Sequence, residues 1–327
     1  MPGPRTATAR AHPNIAFIKY WGNRNDRLRL PANSSLSMNL AGIYTQTTVT
    51  WLSDLTQDEL VLNQSAQSGA ARDRVAHHLE QLRQRLGIRG YAMVESENNF
   101  PMGAGIASSA AAFAALTLAA TAAAGFKLTE RELTALARLG SGSAARSIPG
   151  GYVEWHAGTS HDTSYAQSFA SPDHWRLVDV IAVVSTQHKQ VGSQDGHRTA
   201  ATSDLQAARV AGADRRLEQC KQAILSRDFP IFAEVLEQDS NLMHAVMMTS
   251  SPPLFYWLPA TLTVMSQVRQ WRAEGLQVGY TLDAGPNVHC ICLQECADQV
   301  AERVRQLPGV LEVHTCGVGG PAVIIDD

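Results

Sequence analysis

The stretch that most constrains this chain is Asn99-Phe-Pro-Met-Gly-Ala-Gly-Ile-Ala-Ser-Ser-Ala-Ala-Ala-Phe113. Gly103 and Gly105 stand two apart, Ser108 and Ser109 follow, and the alanine-rich run over 109–124 predicts a helix. Glycine lets backbone N–H groups approach an anion with no Cβ in the way. A helix N-terminus adds unpaired N–H donors and a partial positive charge. The junction therefore suits a phosphate, and its other reading is a plain loop-to-helix connection. It is no Walker A loop, because no Gly-Lys-Ser/Thr follows, and it lacks the spacing of a dinucleotide fingerprint. Its companions in the chain decide between the two.

Several function classes fall away on bulk properties. A net charge of −3 without a long basic run argues against a nucleic-acid surface. No apolar stretch reaches the length of a membrane span, and the polar, arginine-containing N-terminus does not read as a signal peptide. Five scattered cysteines fit a reducing compartment, so a cytoplasmic location is expected. His289, Cys290, Cys292 and Cys296 raise a metal site. Cys290 and Cys292 instead alternate with Ile291 and Leu293 as in a strand, and the spacing is not that of common structural zinc sites. No metal-ligating residue is assigned.

At 327 residues the chain is long enough for two lobes, and helices and strands follow one another without a strict βαβ rhythm. The fold class read from this is α+β, divided into 1–175 and 176–327. Residues 1–10 read as a leader or edge strand, and 42–51 as a β-branched strand. Val75, Leu79, Leu82 and Leu86 keep one helical face. A strand over 91–95 leads into the glycine loop. Thr129-Glu-Arg-Glu132 is a capping box with Leu133 and Leu136 facing inward. Strands are read at 152–155 and 177–185, helices at 201–226, 228–246, 257–274 and 294–306, and two strands around a glycine turn at the end.

Four further segments carry candidate chemistry. Lys19 lies in the apolar run Ile15-Ala-Phe-Ile-Lys-Tyr-Trp21, where an ammonium needs a partner, an anion, or an edge from which to snorkel. Gly140-Ser-Gly-Ser-Ala-Ala-Arg146 puts Ser141, Ser143 and Arg146 in one glycine-lined turn; arginine suits bidentate binding of carboxylate or phosphate, unless the turn is a mere connection. Pro31-Ala-Asn-Ser-Ser-Leu-Ser37 supplies hydroxyl and amide groups or a simple turn. Asp283, followed by Ala-Gly-Pro, either caps that turn or presents a carboxylate. Because these segments come from both halves, a cleft between lobes is the expected ligand site.

Together the segments resemble a known family. The glycine loop is similar to the phosphate loop of the GHMP kinase superfamily. Asn14-Ile-Ala-Phe-Ile-Lys-Tyr-Trp-Gly22, Asn33-Ser-Ser-Leu-Ser37, Glu97-Asn-Asn-Phe-Pro101, Gly140-Ser-Gly-Ser-Ala-Ala-Arg-Ser147 and Asp283-Ala-Gly-Pro-Asn287 resemble, in order, the diphosphomevalonate decarboxylase family. The resemblance implies a ribosomal-protein-S5-like N-terminal lobe, a ferredoxin-like C-terminal lobe and a homodimer. It implies ATP and Mg²⁺, a small phosphorylated mevalonate as substrate, phosphorylation of its 3-hydroxyl and decarboxylation to an isoprenoid alkene. Carried over, Asp283 orients or deprotonates the hydroxyl beside Lys19. Tyr20, Asn23, Ser141, Ser143, Arg146 and Ser193 bind substrate, with Arg146 and Ser143 on its carboxylate. Gly103, Gly105, Ser108 and Ser109 contact ATP phosphates, and Ser96 lies towards the adenine.

Two departures bear on the substrate. The family usually reads Lys-Tyr-Trp-Gly-Lys, whereas here the second lysine position is Asn23; and position 194, in Val191-Gly-Ser-Gln-Asp-Gly196, is glutamine where bacterial relatives carry arginine. Two fewer cations weaken the case for a diphosphate, at about 1.5–3 kcal/mol for each charge-assisted contact. Mevalonate 5-phosphate, giving isopentenyl phosphate, is therefore the expected substrate. The alternative is the diphosphate, with Arg24, Arg27 or Lys189 supplying the missing charge. A mevalonate 3-kinase is disfavoured by retention of both Lys19 and Asp283, as is a non-enzymatic binding protein by retention of Asp283 and Arg146.

Overall fold

The computed structural model describes residues 5–100, 108–187 and 192–325. In chain order the first strands are β1 (Arg5–Ala11), β2 (Asn14–Ile18), β3 (Asn23–Asn25), β4 (Leu30–Pro31), β5 (Ser35–Asn39), β6 (Thr45–Leu52), β7 (Glu59–Leu62) and β8 (Ser65–Gln67). Helix α1 (Ala70–Leu86), β9 (Tyr91–Asn98), α2 (Ser108–Ala123) and α3 (Glu130–Gly140) follow. A 3-10 turn at Gly142–Ser147 then leads to β10 (Tyr152–Trp155), β11 (Ala166–Ala170) and β12 (Leu177–Val183). The second half has α4 (Ser193–Thr199), α5 (Gln206–Ala211), α6 (Ala213–Ser226), α7 (Phe229–Thr249) and α8 (Pro259–Ala273). It closes with β13 (Val278–Thr281), β14 (Val288–Leu293), α9 (Ala297–Arg305), β15 (Glu312–Gly317) and β16 (Val323–Ile325).

Three sheets carry the α+β architecture. The first has the order β16-β1-β6-β9-β7-β8, the second β11-β10-β5-β2 and the third β13-β14-β12-β15. Strand β6 alternates buried and half-buried residues along its length, the pattern of a strand with one face on a core. That face packs on α1, α2 and α3 through Val49, Leu79, Leu82, Phe113 and Leu136. Helix α2 is buried nearly all round, which its alanines permit because small side chains let neighbours approach closely. A second core joins Ile15, Phe17 and Leu36 of the second sheet to Ile181 and Val183 of the third, through Phe229, Phe232 and Leu236 of α7. The opposite face of the third sheet is covered by α8 and α9.

The capping box at Thr129 forms as read, with Thr129 and Glu132 exchanging hydrogen bonds. Cys290 and Cys292 lie buried in β14, as their alternation predicted. Four readings need correction. The strand read at the N-terminus is no edge, because β16 pairs on the far side of β1 (Thr8 opposite Ile325). The helix read over 201–226 is broken into a short 3-10 turn (Ala200–Thr202), α5 and α6, because Ser203 and Gly212 interrupt it. Helix α4 arises in a segment read as merely polar. Strands β7, β8 and β11 were not read at all, being short, with partly exposed patterns that give little periodicity. Among the described residues no helix is long and apolar enough to cross a membrane.

Candidate active site

The site is built where β2 ends. Strand β2 is fully buried and lies at the edge of its sheet, so the residues after it leave the sheet towards the second half of the chain. Lys19 is 1% exposed and does not snorkel. Its Nζ donates to Asp283 Oδ1 at 2.8 Å, across 264 residues of sequence, while the Asp283 side chain stays 30% exposed. Burial lowers the Lys19 pKa by disfavouring the ammonium; the charge of Asp283 and its hydrogen bond oppose this, as does Asp239. The result is a cation held under a carboxylate that still faces outwards.

Three buried residues fix the backbone beneath this pair. Arg209 donates to the Trp21 carbonyl at 2.6 Å and to Asn33 Oδ1 at 2.8 Å. Asn33 in turn donates to the Lys19 carbonyl at 3.0 Å, and the Lys19 N–H donates to Asp239 Oδ2 at 3.3 Å. Asp239 is also paired with Arg216 at 3.5 Å. Sequence reading passed over Arg209 and Asp239, since charged residues inside helical patterns usually face solvent.

Arg146 reaches the same centre from the 3-10 turn. Its guanidinium donates to Ser35 Oγ at 2.7 Å and to Asn14 Oδ1 at 3.1 and 3.3 Å, and lies over the Trp155 ring. Burial brings its pKa down to about 10, against the opposing charge of Asp283, so it stays a cation near neutrality. Ser109 Oγ in the first turn of α2 lies 3.4 Å from Ser141 Oγ, and Ser141 Oγ lies 3.4 Å from Ser143 Oγ. This hydroxyl chain links the start of α2 to the arginine turn. Gly142 makes the turn possible, because a Cβ there would come within 2.5 Å of the Tyr20 ring.

Tyr20 Oη donates to Asn23 Oδ1 at 2.5 Å, and Asn23 Nδ2 donates to Asp26 Oδ1 at 2.8 Å. His197 of α4 stacks on Tyr20 at 4.0 Å, and its Nδ1 accepts the Gly22 N–H at 3.0 Å. Burial, then the charges of Arg29, Arg209 and Arg146, push the His197 pKa down to about 3, so the ring is neutral. Beside Asn23 opens a cavity of about 620 Å³ whose wall includes Arg27, Arg29, Arg85 and Arg198.

Lys19, Asp283, Tyr20, Asn23, Ser141, Ser143, Arg146 and Ser109 are thus brought together by contacts or through shared neighbours. Ser108 begins α2 and is half-buried. Ser96 lies apart, in β9, where its hydroxyl is 2.8 Å from Thr47 Oγ1. Ser193 begins α4. Gly103, Gly105 and Lys189 lie outside the described residues. Of the other cations read as possible compensation, Arg24 donates to the Pro31 carbonyl at 3.1 Å and Arg27 lines the cavity.

Comparison with known proteins accords with this assembly. Residues 11–166 match the diphosphomevalonate decarboxylase-like N-terminal domain, and residues 179–318 match the mevalonate 5-diphosphate decarboxylase C-terminal domain. The chain belongs to the diphosphomevalonate decarboxylase family, whose members are ATP-dependent carboxy-lyases with a GHMP kinase fold. It is 39% identical to the diphosphomevalonate decarboxylase of Aspergillus fumigatus, over 96% of this chain and 83% of that one. It is 33% identical to the phosphomevalonate decarboxylase of Haloferax volcanii, over 98% of both. Among solved structures, a complex titled MDDEF with MVAPP, AMPPCP and magnesium superposes with a TM-score of 0.94. That complex is 35% identical and covers 99% of this chain and all of its own.

The chemistry of the site suits ATP with magnesium. Ser108 and Ser109 present hydroxyls at the start of a 16-residue helix, a natural seat for phosphate. Among the described residues no group of three His, Cys, Asp or Glu could hold a metal ion unaided. Magnesium fits here through oxygens of nucleotide phosphates and water, its usual ligands.

Proposed function

We propose that this enzyme converts mevalonate 5-phosphate to isopentenyl phosphate, with ATP consumed and carbon dioxide released. The observation that carries the choice of substrate is Asn23. At the position where the family usually has lysine stands a neutral amide, tied to Tyr20 Oη and to the Asp26 carboxylate. A diphosphate tail would meet one cation fewer and one carboxylate nearby. The phosphomevalonate decarboxylase of Haloferax volcanii, alike over almost its whole length, supports this reading.

In this reading Arg146, with Ser141 and Ser143, holds the substrate carboxylate. Asp283 accepts the hydrogen of the 3-hydroxyl, and Lys19 beneath it holds that carboxylate in place. As the 3-oxygen bonds to the γ-phosphorus, the bond to the ADP oxygen breaks. Phosphoryl transfer needs positioning and charge neutralisation more than covalent help, which is what this set of side chains supplies. Magnesium bound with the nucleotide contributes neutralising charge on its phosphates. The bond to the carboxylate carbon then breaks, its electron pair forms the alkene, and the 3-phosphate leaves. Ser108, Ser109, Gly103 and Gly105 serve the nucleotide phosphates, Ser96 lies towards the adenine, and Ser193 and Tyr20 serve the substrate tail. The same reading carries a boundary between lobes at 175/176, a cytoplasmic location and a homodimer, the last tested by light scattering.

The cavity arginines favour a second reading, in which the tail is a diphosphate. Steady-state assays on both substrates, following ADP and CO₂ together, decide between them. The expected result is a higher kcat/KM on the monophosphate with equal amounts of the two products. A preference for the diphosphate overturns the choice of substrate, and ADP without CO₂ overturns the decarboxylase reading itself.

A further inference from the structure

The cavity beside Asn23 has one wall that no other part of the site explains. Arg29 is half-buried, and its guanidinium makes no hydrogen bond or ion pair with any described residue, although burial disfavours its charge. Its backbone has φ of 47°, the left-handed region that a non-glycine residue occupies only when something holds it there. Arg29 lies in the turn between β3 and β4, the hairpin that also carries Asn23. Its charge reaches Tyr20 and His197, the stacked pair at the mouth of the site, and Arg198 and Asp26 on the cavity wall. An unpaired, partly desolvated guanidinium at the junction of an active site and a basic cavity fits a phosphoryl group.

We infer that Arg29 is the residue that binds the phosphoryl tail of the substrate, supplying from the β3–β4 turn the cation that position 23 lacks. The tail leaves the Lys19–Asp283 centre past Tyr20 and Asn23, and Arg29 is the half-buried cation on the cavity wall it enters. Arg198 adds charge from α4. Arg27 and Arg85 are more exposed and steer the anion inwards. This inference rests on the proposed reaction for its substrate, but not on whether the tail holds one phosphate or two.

The test is Arg29→Gln, which removes the charge and keeps a long polar side chain, beside Arg29→Lys, which keeps the charge. Loss of one charge-assisted contact predicts a rise of about tenfold or more in KM for mevalonate 5-phosphate in Arg29→Gln. The KM for ATP should stay within about twofold and kcat within about threefold, as for a contact made equally in ground and transition states. Arg29→Lys should recover most of the affinity. An unchanged KM for the phosphorylated substrate overturns the inference, as does a parallel rise in both KM values, which marks a structural role. If the wild type prefers the diphosphate and Arg29→Gln raises that KM selectively, Arg29 keeps its role and the monophosphate reading falls.

Discussion

Two clusters of cations meet at Tyr20, and they are built on opposite plans. In the first, Lys19, Arg146 and Arg209 are buried and satisfied: each has a named carboxylate, carbonyl, amide or hydroxyl within 3.0 Å. In the second, the side chains of Arg27, Arg29 and Arg85 line an open cavity, and their guanidinium groups make no hydrogen bond to any described residue. A buried charge without partners is costly, so the first cluster can exist only because the fold completes it. The second can stay incomplete because its cavity is open to water, although Arg29 is partly desolvated there. Satisfied cations set geometry, and unsatisfied ones wait for a ligand.

The comparison breaks most sharply at Asp283. Asp283→Asn should lower kcat by about a thousandfold or more, a loss typical of a group handling a proton in the transition state. Binding of a nonhydrolysable ATP analogue, measured by calorimetry, should be nearly unchanged. Activity close to wild type would mean that the Lys19 pair is structural only. Next in size is Arg209→Leu, which strips partners from the Trp21 carbonyl and Asn33. Unfolding in urea should show a loss of about 3 kcal/mol, since each bond to a charged group contributes about 1.5–3 kcal/mol. A variant as stable as wild type would remove the distinction drawn here.

Acid should loosen the boundary between the clusters. The folded-state pKa of His197 is pushed down to about 3, below the ordinary value of 6.5. A depressed pKa contributes stability that is present above the unfolded pKa and lost as pH falls towards the folded one. Stability should therefore decline between about pH 6.5 and 3, and His197→Phe should flatten part of that decline in denaturant titrations. An unaltered profile would show that other groups control the acid limb. The smallest effect belongs to Arg85→Gln. As an exposed change it should alter stability by less than about 0.5 kcal/mol. It should also raise the substrate KM only about twofold, with the difference fading at high salt. A larger or salt-independent effect would put Arg85 in direct contact with the tail.

Much of this was legible in the chain before its fold was known. Lys19 in an apolar run, Arg146 among glycines and serines, and Asp283 before Ala-Gly-Pro each break a local rule that a purely structural segment would keep. Such breaks are where chemistry is expected. The α2 helix and the Thr129 cap were equally plain, because propensity and capping are local. What stayed hidden is non-local. Arg29 reads as one charged residue among several in a polar hairpin, and only the backbone turn and the facing wall of α1 give it meaning. Asp239 and Arg209 lie on helices where nothing in the spacing marks them as buried. Strand β16 carries three apolar residues that could pair anywhere.

That last strand has a consequence for how the chain comes to be folded. Strand β1 is made before every other described element and β16 after all of them, yet they are hydrogen-bonded neighbours. Until β16 is made, the outer edge of β1 therefore remains an open ladder of N–H and C=O groups, a template for any passing strand. The first sheet is completed only once β16 has been made, so the order of synthesis leaves one edge of that sheet unsealed while the other described elements form. Removing β16 would leave that edge permanently available, and crowding or heat would then reveal it as aggregation rather than as lost chemistry.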